Sequence, residues 1–291
     1  MSSNVQQAVL EKQPLRLSAS VAVIAERRYL SHAQPQGMIN GLKALGHSVL
    51  VVDPEEQAFD AGDHAWMREI DIAVARGRSW SVLCLLEWLE RQSVPVINPR
   101  SAIAAVHNKA EMTVRLASAG IPIPRTLVGF PRRTAQKLLP ADFPVIVKPV
   151  FGDNCRGLEV VHSREQLDAV DWPEPLALVQ RFVSGVPFDL KLYCIGREVW
   201  AVRKPSPLAH KFFPHFPQQQ AAELIPLEPA WRNLALQCGD VFGLQLFGVD
   251  CIETDGGPLV VEVNEFPNYS AVPGADEKLS HYVIASRGQE T

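Results

Sequence analysis

Between residues 20 and 98, short apolar runs alternate with helix-length stretches, and from Phe143 onward strand-like segments follow one another in pairs. Ser20-Val21-Ala22-Val23-Ile24-Ala25 is a run of buried-strand type, and residues 37–45 follow with Met38, Leu42 and Leu45 at helical spacing. Val49-Leu50-Val51-Val52-Asp53, Ile70-Asp71-Ile72-Ala73-Val74-Ala75, a helical stretch at 79–91 and Val94-Pro95-Val96-Ile97-Asn98 continue the alternation. Such an order predicts a parallel sheet covered on both faces. The later strands, at 144–148, 158–161, 177–180, 190–195 and 199–202, predict antiparallel sheets, so the class is α/β (α+β).

The intervening segments divide the chain. Residues 1–15 are polar and without periodicity, which predicts a mobile tail. A parallel-sheet domain then spans 16–100, a small central domain 101–184 and a C-terminal antiparallel domain 185–291. A single helix is expected over 101–119, stopped by Gly120 and the extended Ile121-Pro122-Ile123-Pro124. Six prolines between 205 and 229 (Pro205, Pro207, Pro214, Pro217, Pro226, Pro229) predict a surface loop with no regular element, and a helix at 231–242 follows. A net charge of -4 and a pI of about 6.1 give no global attraction for nucleic acid or an anionic membrane. No apolar run reaches the roughly 18 residues of a membrane span and residues 1–16 lack a signal-peptide pattern, so a cytoplasmic protein is expected. Five scattered cysteines without a CxxC pair argue against a disulfide framework or structural zinc.

Three segments carry polar residues where apolar ones would suffice. With Asp255-Gly256-Gly257 as a three-residue hairpin loop, Asp250 lies opposite Glu262, and Asn264 shares their face. Three oxygen-bearing side chains on apolar strands are costly to bury unpaired, and hard oxygen ligands suit Mg²⁺. The bland alternative has Asp250 and Glu262 in solvent beside the turn. Lys148 ends the run Val145-Ile146-Val147, and the following loop, Gly152-Asp153-Asn154-Cys155-Arg156-Gly157, offers backbone donors and charge for phosphate. It is no Walker A loop, because Leu158-Glu159 stands where Lys-Ser/Thr is required, and the first strand is followed by no GxGxxG. Residues 191–211 hold Lys191, Arg197, Arg203, Lys204 and Lys211 against Glu198 alone, a basic patch suited to an anionic substrate. Lys191 and Arg203 sit inside strand-like runs and are its strongest candidates. A solvated strand face is the plain alternative.

Taken in order, these segments resemble the ATP-grasp superfamily. His107-Asn108-Lys109 with the following 116–126 is similar to the first ATP segment of RimK-type members, and 178–183 resembles the adenine linker, with Arg181 where an acidic residue is common. The resemblance implies that Lys109, Lys148, Gly152, Arg156, Gly157, Gln180, Phe182, Val183 and Asp189 hold ATP. It implies that Asp250, Glu262 and Asn264 hold Mg²⁺, or Mn²⁺ in its place, and that Lys191 and Arg203 act on the transferred phosphoryl group. Lys204, Asn268 and Gly274 would face a small anionic acceptor. Two reaction types are implied. RimK-like ligases phosphorylate a carboxylate and let an amine displace the phosphate, whereas members resembling the inositol tris/tetrakisphosphate kinases phosphorylate a hydroxyl and stop. The segments 188–196, 202–206 and 264–274 are similar to the kinase motifs, and the Arg-x-Asn usual after the equivalent of Arg203 in RimK-type ligases is missing. These features favour a kinase, with the ligase as the alternative and a non-catalytic ATP sensor as a third reading.

Overall fold

A computed structural model of the chain describes residues 18–152, 156–183, 187–206 and 221–288. The expected tail at 1–15, Asp153, Asn154 and Cys155 of the phosphate loop, and 207–220 of the proline-rich segment lie outside these residues.

The first unit is the expected parallel sheet. Strands β1 (Ser20–Ala25), β2 (Ser48–Val52), β3 (Ile72–Arg76) and β4 (Val96–Ile97) lie in the order β2-β1-β3-β4. Helices α1 (Arg27–Leu30), α2 (Ala33–Ala44) and α3 (Trp80–Arg91) connect them. Val21, Val23, Ile72 and Val74 pack with α2, while Ala22, Ile24, Ala73 and Ala75 pack with Leu86 and Leu89 of α3, so both faces are dry, as near-continuous apolar strands require.

The expected helix over 101–119 is broken in two, α4 (Arg100–His107) and α5 (Lys109–Ser118). Asn108 is the break. It ends α4 with an extended backbone (φ -81°, ψ 96°), and its side chain accepts from the N–H groups of Ala110 and Glu111, capping α5.

The central sheet has the order β5-β8-β6-β7, from β5 (Thr126–Gly129), β6 (Val145–Pro149), β7 (Glu159–Val161) and β8 (Ala177–Arg181), with α6 (Pro131–Ala135) and α7 (Arg164–Ala169) over one face. The C-terminal sheet runs β11-β10-β9-β12-β13, from β9 (Phe188–Ile195), β10 (Glu198–Pro205), β11 (Glu223–Ile225), β12 (Leu246–Ile252) and β13 (Leu259–Glu265). Helices α8 (Pro229–Phe242) and α9 (Ala275–Ala285) complete it. β11 corrects the expectation of an irregular 205–229: three residues pair with the free edge of β10, placing Glu223 opposite Arg203.

Alternation along β9 divides two cores. Leu190, Leu192 and Cys194 pack with α8, but also with Ala102, Val106, Met112 and Leu116 of α4 and α5. Ala102, Ala105, Val106, Met112, Leu116 and Ile121 thus pack on the C-terminal sheet, while Ala110 of the same segment packs with Val150 and Leu178 of the central unit, expected over 101–184. Tyr193 and Ile195, on the other face, pack with α2, α9 and the first sheet. Asn98 is one of the side chains that fasten this joint. Asn98, fully buried, donates to the carbonyl of Leu246 (2.7 Å) and accepts from the N–H groups of Gln245 (2.7 Å) and Leu246 (2.9 Å). Asn98→Ala leaves three backbone groups without these partners, and urea unfolding is expected to show a loss of about 3 kcal/mol. Among the described residues no helix is long and apolar enough to cross a membrane.

Candidate active site

Asp250 and Glu262 are directly paired across β12 and β13, as the hairpin reasoning expects, and Asn264 pairs with Gly248 two residues further along the same face. The loop itself differs. Near the turn Cys251 pairs with Val260 and Ile252 with Leu259, so the ladder slips by one residue after Asp250. The turn is the four residues 254–257, closed by Gly257 N–H to Thr254 C=O (2.9 Å) and by the Thr254 hydroxyl to Gly257 C=O (2.6 Å). Val261 is the extra residue of a bulge that restores the expected register at the carboxylates.

β9 adds Lys191 beside Asp250, with Nζ 2.7 Å from the carboxylate; the two side chains are 19% and 20% exposed. Burial presses the Lys191 pKa down, but the charge of and hydrogen bond to Asp250 outweigh it and the net shift is upward. Asn264 Nδ2 donates to Asp250 at 3.4 Å. Asp189, on the same face of β9, has its carboxyl pKa raised by burial against the opposing pull of Lys191.

The expected pair of Lys191 and Arg203 is not brought together. Lys204 pairs with Asp189 and shares the face of Lys191, whereas Arg203 pairs with Leu190 and lies on the other face. Consecutive strand residues point oppositely, so only one of the two cations can face the carboxylates. Arg203 instead donates to both oxygens of Glu253 (3.1–3.2 Å), a hydrogen bond that raises its pKa.

Between the central and C-terminal sheets, one small pocket of about 80 Å³ gathers Lys109, Lys148, Gly152, Arg156, Gln180 and Glu262 over the apolar Met112, Leu178 and Val261. Lys109 opens α5 just after the Asn108 break, its backbone N–H bonds the Val150 carbonyl (3.1 Å), and its ammonium contacts Glu262. Lys148 donates to the Gln180 side-chain carbonyl (2.6 Å), whose amide in turn donates to the Thr126 hydroxyl (2.9 Å). Gly157 takes a left-handed φ of +71° beyond the pocket, in an outer recess with Arg28 and Phe151. The Phe182 N–H bonds the Pro144 carbonyl (2.9 Å), and Val183 is half-buried at the end of this described stretch.

Glu262 also lines a larger cleft of about 440 Å³ with Lys191, Lys204, Asp250, Asn264 and Asn268. Gly274 is elsewhere, at the start of α9 with a φ of +65°. Among the described residues no trio of His, Cys, Asp and Glu gathers. The candidate cation site is therefore two carboxylates and one amide, a hard-oxygen set that fits Mg²⁺ completed by phosphate and water.

The cleft's opposite wall was not found from sequence. Arg76 and Arg78 reach it from the end of β3, with Tyr29 and His32. The available signal was two arginines flanking a glycine where a parallel strand ends, the edge at which open α/β sheets bind ligands. The Glu26 carboxylate accepts from the N–H groups of Arg78 (2.6 Å) and Ser79 (2.7 Å), filling the anion-attracting start of α3 from within the chain.

A family model described as the RimK-like ATP-grasp domain matches residues 106–276. The alpha-aminoadipate--LysW ligase LysX of Saccharolobus solfataricus is 27% identical over 259 residues, covering 81% of this chain and 90% of that protein. The crystal structure of a RimK domain ATP-grasp protein from Sphaerobacter thermophilus superposes with a TM-score of 0.74 at 20% identity, covering 93% of this chain and 100% of that one. The ATP-grasp ligase PsnB, in a structure with minimal precursor, Mg and ADP, gives 0.70 at 18% identity over 95% and 100% of the chains. With the parallel sheet, the two antiparallel sheets and the lysine-lined pocket between them, these likenesses identify the chain as a member of the RimK-like ATP-grasp family, an ATP-dependent enzyme.

Proposed function

We propose that this chain is an ATP-dependent carboxylate–amine ligase releasing ADP and phosphate. The observation that carries the reading is the meeting of Lys109, Lys148 and Glu262, from three separate elements, in a pocket that joins the Asp250 cleft at Glu262. Between the two reaction types, the likeness to a LysX ligase supports the ligase over the kinase that the 188–196, 202–206 and 264–274 segments favoured. The central unit would act as a lid above the C-terminal sheet.

When bound, Mg-ATP supplies the phosphoryl group that makes the acceptor carboxylate reactive. Lys109 and Lys148 would neutralise phosphate oxygens, with Gly152, Arg156 and Gly157 above them and Gln180, Phe182 and Val183 toward the base. Asp250, Glu262 and Asn264 would hold Mg²⁺ or Mn²⁺. Lys191, fixed by Asp250, would stabilise charge on the moving phosphoryl group, and Lys204 would meet an anionic acceptor. Arg203 would act through Glu253 at the rim. LysX, a ligase for LysW, and PsnB, solved with a minimal precursor, extend the acceptor class from small molecules to a carboxylate borne on a peptide or carrier.

Incubation with Mg-ATP and pooled small-molecule and peptide extract tests the reading by mass spectrometry. ADP, free phosphate and a product one water lighter than its two components are expected. ADP without free phosphate, and a product heavier by one phosphoryl group, would replace the ligase by the kinase. The kinase reading keeps one structural support, the placement of Lys204 from its 202–206 motif on the cleft face.

A further inference from the structure

The turn after Asn264 forms one side of the large cleft through Phe266, Pro267, Asn268 and Ser270. Its backbone is strained at Phe266, a non-glycine residue at φ +33°. Such a conformation persists only where its surroundings hold it, and the inference runs from the outlier to what holds it. Here the holding group comes from the other end of the chain. Arg76 Nη1 donates to the carbonyls of Phe266 (2.7 Å) and Pro267 (2.8 Å) across a sequence separation of 190 residues. Its guanidinium lies 4.6 Å from the centre of the Tyr29 ring and 5.3 Å from that of Phe266. Arg76 is 4% exposed, so it meets these carbonyls with little water in competition.

The turn is also tied to the reacting end of the cleft. Pro267 lies over Gly248, where an added Cβ would meet the proline ring at 3.1 Å, and Gly248 pairs directly with Asn264. A second side chain from the first unit supports the same turn: Gln34 accepts from the Tyr269 N–H (3.1 Å) and donates to Asp276 (2.8 Å). Arg76 does not line the pocket of Lys109, Lys148 and Gln180.

We propose that Arg76 is a positioning residue for acceptor recognition: its guanidinium holds the 266–270 turn in the one backbone arrangement that presents Asn268 and Ser270 to the acceptor. The proposal rests on the reading of this cleft as the acceptor site. It separates two functions of one active site, because loss of Arg76 loosens the acceptor wall and leaves nucleotide binding alone.

The test uses Arg76→Lys, which keeps the charge but is shorter and lacks the planar guanidinium that lies against the Tyr29 and Phe266 rings, and Arg76→Met, which removes the donor. Amide exchange by mass spectrometry is expected to rise roughly tenfold or more in peptides covering 266–271, with peptides of β1 and β12 unchanged. Calorimetry with Mg-AMP-PNP is expected to give affinities within about threefold of the parent. Product formation from the pooled extract should fall roughly tenfold or more. Unchanged exchange at 266–271 would overturn the proposal, as would exchange rising throughout the chain or nucleotide affinity falling in step with product formation. If Arg76→Met does not fold, Arg76→Lys carries the same readouts. If the parent protein makes no product from the extract, the ligase reading fails on that assay, while exchange and nucleotide affinity still decide the role of Arg76.

Discussion

Asp250→Asn is expected to lower turnover by a factor of about a thousand or more while the protein remains folded. The amide keeps the shape of the side chain and one oxygen, but it loses the charge that a divalent cation requires of a two-carboxylate site. A neutral oxygen cannot replace it, since Asn264 already supplies the amide of the set and only Glu262 would remain charged. The effect on folding should be much smaller. Asp250 and Lys191 are each about one-fifth exposed, so the ammonium left behind can still reach water, and a loss of about 1–2 kcal/mol is expected in urea unfolding. The sign of the pH dependence follows from the raised pKa of Lys191. The pair's stabilisation is fully present below the unfolded lysine value of about 10.4 and fades only as pH rises through the higher folded value. Asp250→Asn should therefore lower stability by a constant amount around neutrality and remove this pair's share of the decline on the alkaline side. Glu262→Gln should follow the same kinetic pattern. Full activity in either variant would remove these residues from the cation site.

The parts legible in the sequence are those set by local period. Apolar strands alternating with helices specify the parallel sheet, and a two-residue period along 247–252 and 259–264 places Asp250 opposite Glu262. The bulge at Val261 was not legible, because a four-residue turn with a bulge and a three-residue loop without one leave the same residues opposite each other. The split at Asn108 was missed because residues 101–119 keep helical spacing on both sides of it, and only the side-chain cap reveals the break. Arg203 and Lys204 adjoin in sequence, and composition cannot say which one faces the cleft; the pairing of β9 with β10 decides it. Gln34 and Asn98 were beyond reach for a different reason. Each hydrogen-bonds backbone groups of the C-terminal unit 147 or more residues away. The reaction type divides along the same line. Short motifs around 188–196, 202–206 and 264–274 resemble the kinases, whereas the likeness spread over 81% of the chain is to a LysX ligase.

Lys109→Met is expected to weaken Mg-AMP-PNP binding about a hundredfold and, without nucleotide, to tighten Mn²⁺ binding roughly tenfold or more. The two opposite changes follow from one arrangement. In the nucleotide-free protein each carboxylate of the proposed cation site faces a lysine, Lys109 at Glu262 and Lys191 at Asp250. These ammonium groups stand where a divalent ion would put its charge, and they repel it. At about 4 Å and an effective dielectric near 20, a single charge opposes a divalent ion by about 8 kcal/mol, far more than the tenfold effect claimed, because a lysine can swing aside. Phosphate supplies the reason to swing. Lys109 can leave Glu262 for a phosphate oxygen, and the carboxylate it releases becomes available for the metal that the same phosphates carry. Removing the lysine therefore deletes a phosphate partner and also a resident cation. Titration of Mn²⁺ followed by electron paramagnetic resonance reads the second effect without any turnover. A variant that binds Mn²⁺ no more tightly than the parent would mean that Lys109 leaves Glu262 at no cost. The pocket of about 80 Å³ would then have to open by movement of the central sheet rather than by exchange of lysine partners.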